Sequence, residues 1–395
     1  MGSTALMERR PCPVCGSERD RSIFNLDQFQ FYCDSADVPK RADLREAQCL
    51  DCLAIFLNPC YSRYGYEVLF AEAGCSYGST EAHCRRQIEW MQSKNLLRPG
   101  SRLLDAGCFE GAFLARLPEH VTRIGVDIDE PAIQRGRRAL AESGVELILG
   151  DFESFRLDQG VDVITMFHVL EHLPRPVQVL RHLREISNAD TRLVVEVPIL
   201  ENGKTNDING FFSIQHTTHF TRASLENCFS GSGWMILDQQ EQPDYNGLRV
   251  VVKPGALHDE LAPDRHAIAL LRQYLSSWNL AVKEVEDRLA QVANVKRCVI
   301  WGAGAHTEFL YQTTSFFQAQ SAREYIIVDG DSLKQGRSWR GIPIVSPQVL
   351  RNFDWREEYL VISSYGSTPQ IQIAAIASGV PESRVVTLYK NFRVY

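Results

Sequence analysis

Four cysteines in two C-x-x-C pairs, Cys12 with Cys15 and Cys49 with Cys52, carry the sharpest chemical signal in this sequence. The short step within each pair lets two sulfurs turn toward one tetrahedral ion, and two such pairs complete a four-thiolate set for Zn²⁺. Ordinary buried or redox-active thiols are the competing reading. The turn-forming neighbours in PCPVCGS and QCLDCLA, and the scarcity of long apolar runs between the pairs, favour the metal. A closed set of four protein ligands leaves no position for a substrate, so the zinc is expected to be structural.

A second group of residues has the spacing of a nucleotide-cofactor site. In LLDAGCFEG (103–111) the order is Asp105, Gly107, Phe109, Gly111, with Phe109 where a dinucleotide fingerprint has its middle glycine. Glycines at a strand-to-helix turn let a ligand approach the backbone and the helix N-terminus. Such a turn alone is weak evidence. Asp127, closing the next strand, sharpens it, because a carboxylate at that strand end suits the two hydroxyls of a ribose. Asp151 and Phe152 end the third strand, where a carboxylate can accept from an adenine amino group and a ring can lie on its face. The titratable candidates for chemistry are histidines: His216 and His219 in FFSIQHTTHFT (211–221), with His168 and His172 nearer the fourth strand end. For each the competing reading is a packed, hydrogen-bonded side chain.

The elements that must position these groups alternate β-rich and helical runs over about 99–200, the mark of a doubly wound parallel sheet. Strands are expected at 101–107, 122–128, 145–151, 161–167 and 191–197, and helices at 111–117, 131–142 and 177–187, the second with Pro131 in its first turn. An amphipathic helical stretch follows over about 260–292. RCVIWGAGAHTEFL (297–310) then reads as strand, Gly302-x-Gly304 turn and helix, with Thr307 at the third glycine position. Further strands at 325–331, 342–347 and 359–366 complete a second, smaller α/β domain. The expected division is a zinc-binding domain over 1–75, a cofactor-binding core over 76–255, linker helices over 256–294 and a C-terminal Rossmann-like domain over 295–395.

Composition limits what such a chain could do. With 395 residues, 44% of them hydrophobic, two or three domains can each bury a core. A formal charge of −7 argues against a nucleic-acid partner, which needs a basic field. No signal peptide and no apolar run long enough to span a membrane is legible. The other seven of the 11 cysteines are irregularly spaced, so reduced thiols and a cytoplasmic location are expected. Monomer and homodimer are both open.

The four motifs together, LLDAGCFEG, GVDID (125–129), GDFESF (150–155) and VDVITMFHVLEHLPRP (161–176), resemble those of the class I S-adenosylmethionine-dependent methyltransferases. A nicotinamide-binding domain with the same turn is the alternative, and HVLEHL favours the methyltransferases. The resemblance implies that Asp105 and the turn around Gly107 and Gly111 hold the donor's amino-acid part, Asp127 with Ile128 its ribose, and Asp151 with Phe152 its adenine. It also counts Phe167 among the donor contacts. Over nearly the whole length, the zinc knuckle, the core and DGDSLKQGRSWRGIPIVSP (329–347) are similar to sugar C-methyltransferases of deoxysugar biosynthesis. Those act on a nucleotide-linked 4-keto sugar, which implies an acceptor between core and C-terminal domain, with Lys334 and Arg337 as substrate contacts. CSYGSTEAH (75–83) looks like the segment that family folds over the donor, making Tyr77 a donor and Ser79 a substrate contact. The chain departs from the pattern at that family's Tyr-His-Glu-His string, which falls here on Ser213, Ile214, Gln215 and His216. The family's presumed base survives as His216, and the tyrosine is absent. The expected chemistry is C-methylation through an enolate, with O-methylation of a sugar or small natural product, or a silent nucleotide-sugar scaffold, as the alternatives.

Overall fold

The computed structural model describes residues 5–32, 40–70, 81–151, 154–203, 208–209, 214–240, 245–258, 260–318 and 323–390. Tyr77, Ser79 and Phe152 lie outside the described residues.

Runs such as RLLDA, VITMF and RLVVEVP are too apolar to leave either face in water, and they form the centre of a seven-stranded sheet. Its order is Trp234–Gln240, Gly247–Pro254, Arg192–Pro198, Val163–Phe167, Arg102–Ala106, Thr122–Asp127, Val145–Leu149. The last five are mutually parallel, and Gly247–Pro254 runs antiparallel to both of its neighbours. From Arg102–Ala106 the chain builds outward in one direction, then returns to build outward from Val163–Phe167 in the other. The crevice at such a reversal, beyond the carboxyl ends of the strands, is where open α/β sheets place ligands. The chain is therefore an α/β protein with a Rossmann-like core.

The five expected core strands form within a residue or two of the expected ends. Helices Glu130–Ala139 and Pro176–Glu185 take the places of those expected at 131–142 and 177–187. The expected helix over 111–117 does not form beyond one 3₁₀ turn, Leu114–Arg116. Both of its ends are cut by local sterics: Gly111 takes φ +81°, and Leu117 is extended (φ −69°, ψ 151°) because Pro118 follows it. The turn after the first strand thus leads into no regular helix, and a ligand there would meet loop amides rather than a helix N-terminus.

The N-terminal region forms a four-stranded antiparallel sheet of Asp20–Gln30, Arg41–Cys49, Ile55–Leu57 and, from far along the chain, Thr218–His219. The cysteine knuckles share an apolar cluster with the core: Cys12, Val14, Cys52 and Phe56 pack with Leu225, Phe229 and Trp234. The opposite end of the same sheet joins a different cluster. There Phe29 and Phe31 meet Trp278, Val285 and Phe309 from the C-terminal part.

That part replaces the expected set of linker helices with one long helix, Ala267–Leu289, and a 3₁₀ turn. Its second sheet is six-stranded, in the order Ser338–Trp339, Ile342–Val345, Glu324–Val328, Arg297–Trp301, Tyr359–Ile362, Val385–Thr387. It is parallel except for Ser338–Trp339. Gly302 takes φ +124° where a Cβ would lie 2.6 Å from the Ser363 carbonyl oxygen, so the turn requires glycine. Thr307 at the third glycine position closes the turn, its hydroxyl donating to the Gly302 carbonyl at 2.6 Å.

Phe29 is fully buried, with ring centroids 5.4 Å from Phe31 and 5.3 Å from Phe309. Phe29→Ala should cost about 3–5 kcal/mol in urea unfolding of the whole chain, the range for an aromatic cavity between packed elements. A loss below about 1 kcal/mol would mean that the N-terminal and C-terminal sheets are not packed together as described.

Candidate active site

The cysteine quartet closes as its spacing demands. Sγ of Cys12 lies 3.5 Å from that of Cys52, Sγ of Cys15 lies 3.6 Å from that of Cys49, and all four sulfurs fall within 4.8 Å of one another. Disulfides are excluded at that distance. Four thiolates at about 2.3 Å around one tetrahedral ion sit roughly 3.8 Å apart, so the quartet fits Zn²⁺ with little adjustment. Hydrogen bonding within the quartet, with Cys12 its largest contributor, brings the Cys15 thiol down to about 7.

The donor candidates line the carboxyl edge of the first sheet. Gly107 holds φ +88°, and a Cβ there would lie 2.3 Å from Cγ2 of Val169, so the loop after the fourth strand packs directly on the glycine turn. Phe109 is left-handed at φ +50° without being glycine. Its N–H donates to Asp127 at 2.8 Å, and the N–H of Asp129 donates to the other Asp127 oxygen at 2.9 Å. Each carboxylate oxygen keeps a further lone pair, which is what a ribose diol needs. Burial raises the Asp127 carboxyl above its ordinary value. Ile128 and Leu149 are exposed by 65% and 43% at neighbouring strand ends, an apolar ledge suited to an adenine face. Asp151 is exposed just beyond that ledge, and Phe167 is half-buried, its ring 5.0 Å from Phe113.

Asp105 departs from expectation. It is 5% exposed and turned into the sheet, where Thr165 donates to it at 2.6 Å. Burial pushes its carboxyl up to about 7.

The histidines converge on two buried glutamates. Glu196, fully buried in the strand Arg192–Pro198, accepts from His83 Nε2 at 2.6 Å, Tyr245 Oη at 2.6 Å and Arg249 Nε at 2.5 Å. His168 Nε2 lies 3.3 Å from the same carboxylate. Its Nδ1 lies 3.3 Å from Glu171, the acid of HVLEHL, which is 1% exposed. Burial alone would lower the His168 value, but hydrogen bonds and charge from Glu171 and Glu196 push it up to about 10. His168 is thus an imidazolium at neutral pH. It can donate or stabilise negative charge, and it cannot begin as the base. His216 behaves oppositely: burial and the neighbouring His172 bring it down to about 3, so it is neutral. It lines a recess whose other walls are Phe24, Leu26, Leu44, Glu46, Leu57, Tyr61 and Ile214. His219 is 1% exposed and bonded to Glu46 at 2.8 Å, which gives it a positioning role between the core and the N-terminal sheet.

Lys334 and Arg337 stand in the other sheet, in the turn after Glu324–Val328. Lys334 pairs with Asp329 at 3.2 Å, and Asp329 accepts from the N–H of Ala303 at 2.8 Å. The histidines and these two cations therefore belong to different sheet edges. Glu196, Tyr245, His83 and Arg249 were not singled out by sequence reasoning. A glutamate in the middle of LVVEV, where the strand is otherwise apolar, was the available signal.

Residues 72–239 match a family model described as a methyltransferase domain. A Streptomyces fradiae protein, described as an uncharacterized 37.1 kDa protein in transposon TN4556, is 33% identical over 136 residues, 33% of this chain and 39% of its own. The ubiquinone biosynthesis O-methyltransferase of Aeromonas salmonicida (strain A449) is 29% identical over 116 residues, 28% of this chain and 48% of its own. The chain thus spans less than half the length of the curated relatives it matches. Among solved structures, an S-adenosylmethionine-dependent methyltransferase from Clostridium acetobutylicum ATCC 824 is 10% identical, covering 48% of this chain and 96% of its own with a TM-score of 0.38.

The quartet should hold one zinc per chain that survives dialysis against a mild chelator. Elemental analysis checks this, and Cys49→Ser should lose that equivalent; a folded, metal-free wild type would refute the site. A second expectation concerns Asp105. Its carboxyl is raised in the fold from 3.8 to about 7, so the stability it contributes is full at low pH and lost as pH rises through about 7. Relative to Asp105→Asn, the wild type should therefore lose about 2 kcal/mol between about pH 5.5 and pH 8. A gap between the two proteins that stays constant with pH would place that carboxylate in water instead.

Proposed function

We propose that the chain is an S-adenosylmethionine-dependent methyltransferase whose acceptor is a nucleotide-linked 4-keto deoxysugar, methylated on the carbon beside the ketone. The observation that supports this most is one juxtaposition. The Gly107 turn and the Asp127–Ile128 strand end lie along the same sheet edge as the histidine–glutamate cluster, with Val169 packed between them. The donor supplies a methyl group on a positively charged sulfur. Such transfer needs alignment of nucleophile, methyl and sulfur, and a group to take the acceptor's proton.

The chain's residues divide that work. Asp127 orients the ribose hydroxyls, and Ile128 covers a face of the base. A ketone makes the neighbouring C–H acidic, and neutral His216 is the group able to accept that proton. His168, held cationic by its two carboxylates, can donate toward oxygen that gains negative charge. Tyr245 meets the His168 ring at Nε2 and donates to Glu196 at 2.6 Å, so the two act as a positioning pair.

A second reading is O-methylation of a sugar or small natural product. The named relatives that are O-methyltransferases agree with it. It needs the same base and no enolate.

Incubating the zinc-loaded chain with S-adenosylmethionine and nucleotide-linked keto sugars in deuterated water separates the readings. Carbon methylation predicts exchange of the ring hydrogen beside the ketone and product bearing the methyl on carbon. His216→Asn should lower turnover by roughly 10²–10⁴-fold. Asp127→Asn should weaken donor binding in calorimetry by about 1.5–3 kcal/mol, the cost of losing hydrogen bonds to a charged group. Methyl found on oxygen, with the ring hydrogen retained, would establish the second reading. Absence of donor binding by the wild type would sink both.

A further inference from the structure

We propose that Glu171, His172 and His216 form a second metal site, separate from the cysteine quartet, which takes a divalent ion of the zinc class and leaves coordination positions open to an oxygen ligand. The ligand atoms of all three residues lie within 4.8 Å of one another. Oε1 of Glu171 is 3.8 Å from His172 Nε2 and 4.0 Å from His216 Nε2. Those separations are too long for hydrogen bonds. Ligands bound at about 2.0–2.2 Å to one ion sit roughly 3–4 Å apart, so both Glu171 separations already fall at the long end of that range.

Two further observations make this a prepared site rather than a chance grouping. Glu171 is 1% exposed, yet its Oε2 has no hydrogen-bond partner among the described residues. A desolvated carboxylate oxygen left in that state carries a cost of about 1–3 kcal/mol or more unless a cation meets it. His168, at 3.3 Å, faces Oε1, the same oxygen that lies nearest His172 and His216. Next, Nδ1 of His172 lies 3.1 Å from the carbonyl of Gln215 and must donate to it. That bond fixes the tautomer with the Nε2 lone pair toward Glu171, the support that metal-binding histidines commonly have.

Two histidines and one carboxylate are the donor set of open, catalytic sites rather than closed structural ones. The other grouping of this kind, His83, His168 and Glu196, is already satisfied by the Arg249 guanidinium at 2.5 Å and by Tyr245. The site itself does not rest on the methyl-transfer reading; its use does. With an ion bound, an acceptor ketone or hydroxyl oxygen on an open position would be acidified by the ion's charge. His216 would then act through the metal rather than as a free base. Because His216→Asn lowers turnover in either case, activity cannot decide the question, and metal binding must.

The test uses the full chain with its cysteine quartet already loaded, in equilibrium dialysis against Zn²⁺. The wild type should take up one further equivalent reversibly. In His172→Ala/His216→Ala and in Glu171→Gln that equivalent should bind at least tenfold more weakly, while the quartet's own zinc, retained, shows that each variant is folded. Should Glu171→Gln lose the quartet zinc, the histidine variant alone decides. No additional equivalent in the wild type would overturn the proposal. So would an additional equivalent that the histidine variant binds as tightly.

Discussion

Two carboxylates taken out of water organise this molecule's functional edge. Glu196 and Glu171 are essentially unexposed, and a buried carboxylate without partners is among the costliest features a fold can carry. The chain offsets Glu196 with groups drawn from separate elements: His83 from the helix Glu81–Ser93, His168 from the loop after Val163–Phe167, and Tyr245 and Arg249 around the antiparallel strand Gly247–Pro254. Removing any one partner would leave the buried carboxylate short of a hydrogen bond in a low dielectric, so these elements are held in mutual register by polar contacts as much as by packing. His168 is the hinge of the arrangement. It is left-handed at φ +55°, and it touches both glutamates. Phe109, the other left-handed non-glycine at this edge, stands across the Gly107 turn. Strained backbone on both sides of the strand-order reversal is what a preorganised site would require.

The N-terminal region is part of this edge rather than an appendage. Thr218 and His219 pair with Phe56 and Ile55 as an edge strand of the N-terminal sheet, and His216 stands two residues before that strand. Tyr61 bonds to the Ile214 carbonyl, and Glu46 holds His219. The loop between Arg41–Cys49 and Ile55–Leu57 contains Cys49 and Cys52. A tetrahedral ion there would fix the hairpin whose outer strand holds the histidines. Structural zinc would then act on chemistry at a distance, by setting where His216 stands.

Much of the core could be read from the sequence because its strands are nearly pure Val, Ile and Leu bounded by Gly, Asp and Pro, and such runs have one stable use. What failed was local. LARL between Gly111 and Pro118 has helical composition, but a left-handed glycine and a pre-proline residue leave room for a single turn. Sequence spacing also located the cysteines, whose constraint is short-range. The histidine roles were not legible, since they depend on which carboxylates lie nearby, and those come from positions up to 173 residues away. Glu171 stands three residues from His168 and was legible in HVLEHL, but the second acid, Glu196, and the burial that lowers His216 were not.

That contrast bears on what the cluster can do. A neutral imidazole and an imidazolium, both near Glu171, give one group able to take a proton and one able to give or stabilise. Pairs of titratable groups pushed apart by their surroundings are how one fold separates acid from base at a single pH. Here the separation depends on Glu171, whose Oε1 is the oxygen nearest His168, His172 and His216 alike. A cation held by Glu171, His172 and His216 would stand beside the His168 imidazolium at that one carboxylate, which offsets the charge of both. The acceptor would then meet two neighbouring positive groups, which is the arrangement that stabilises an oxygen becoming an anion.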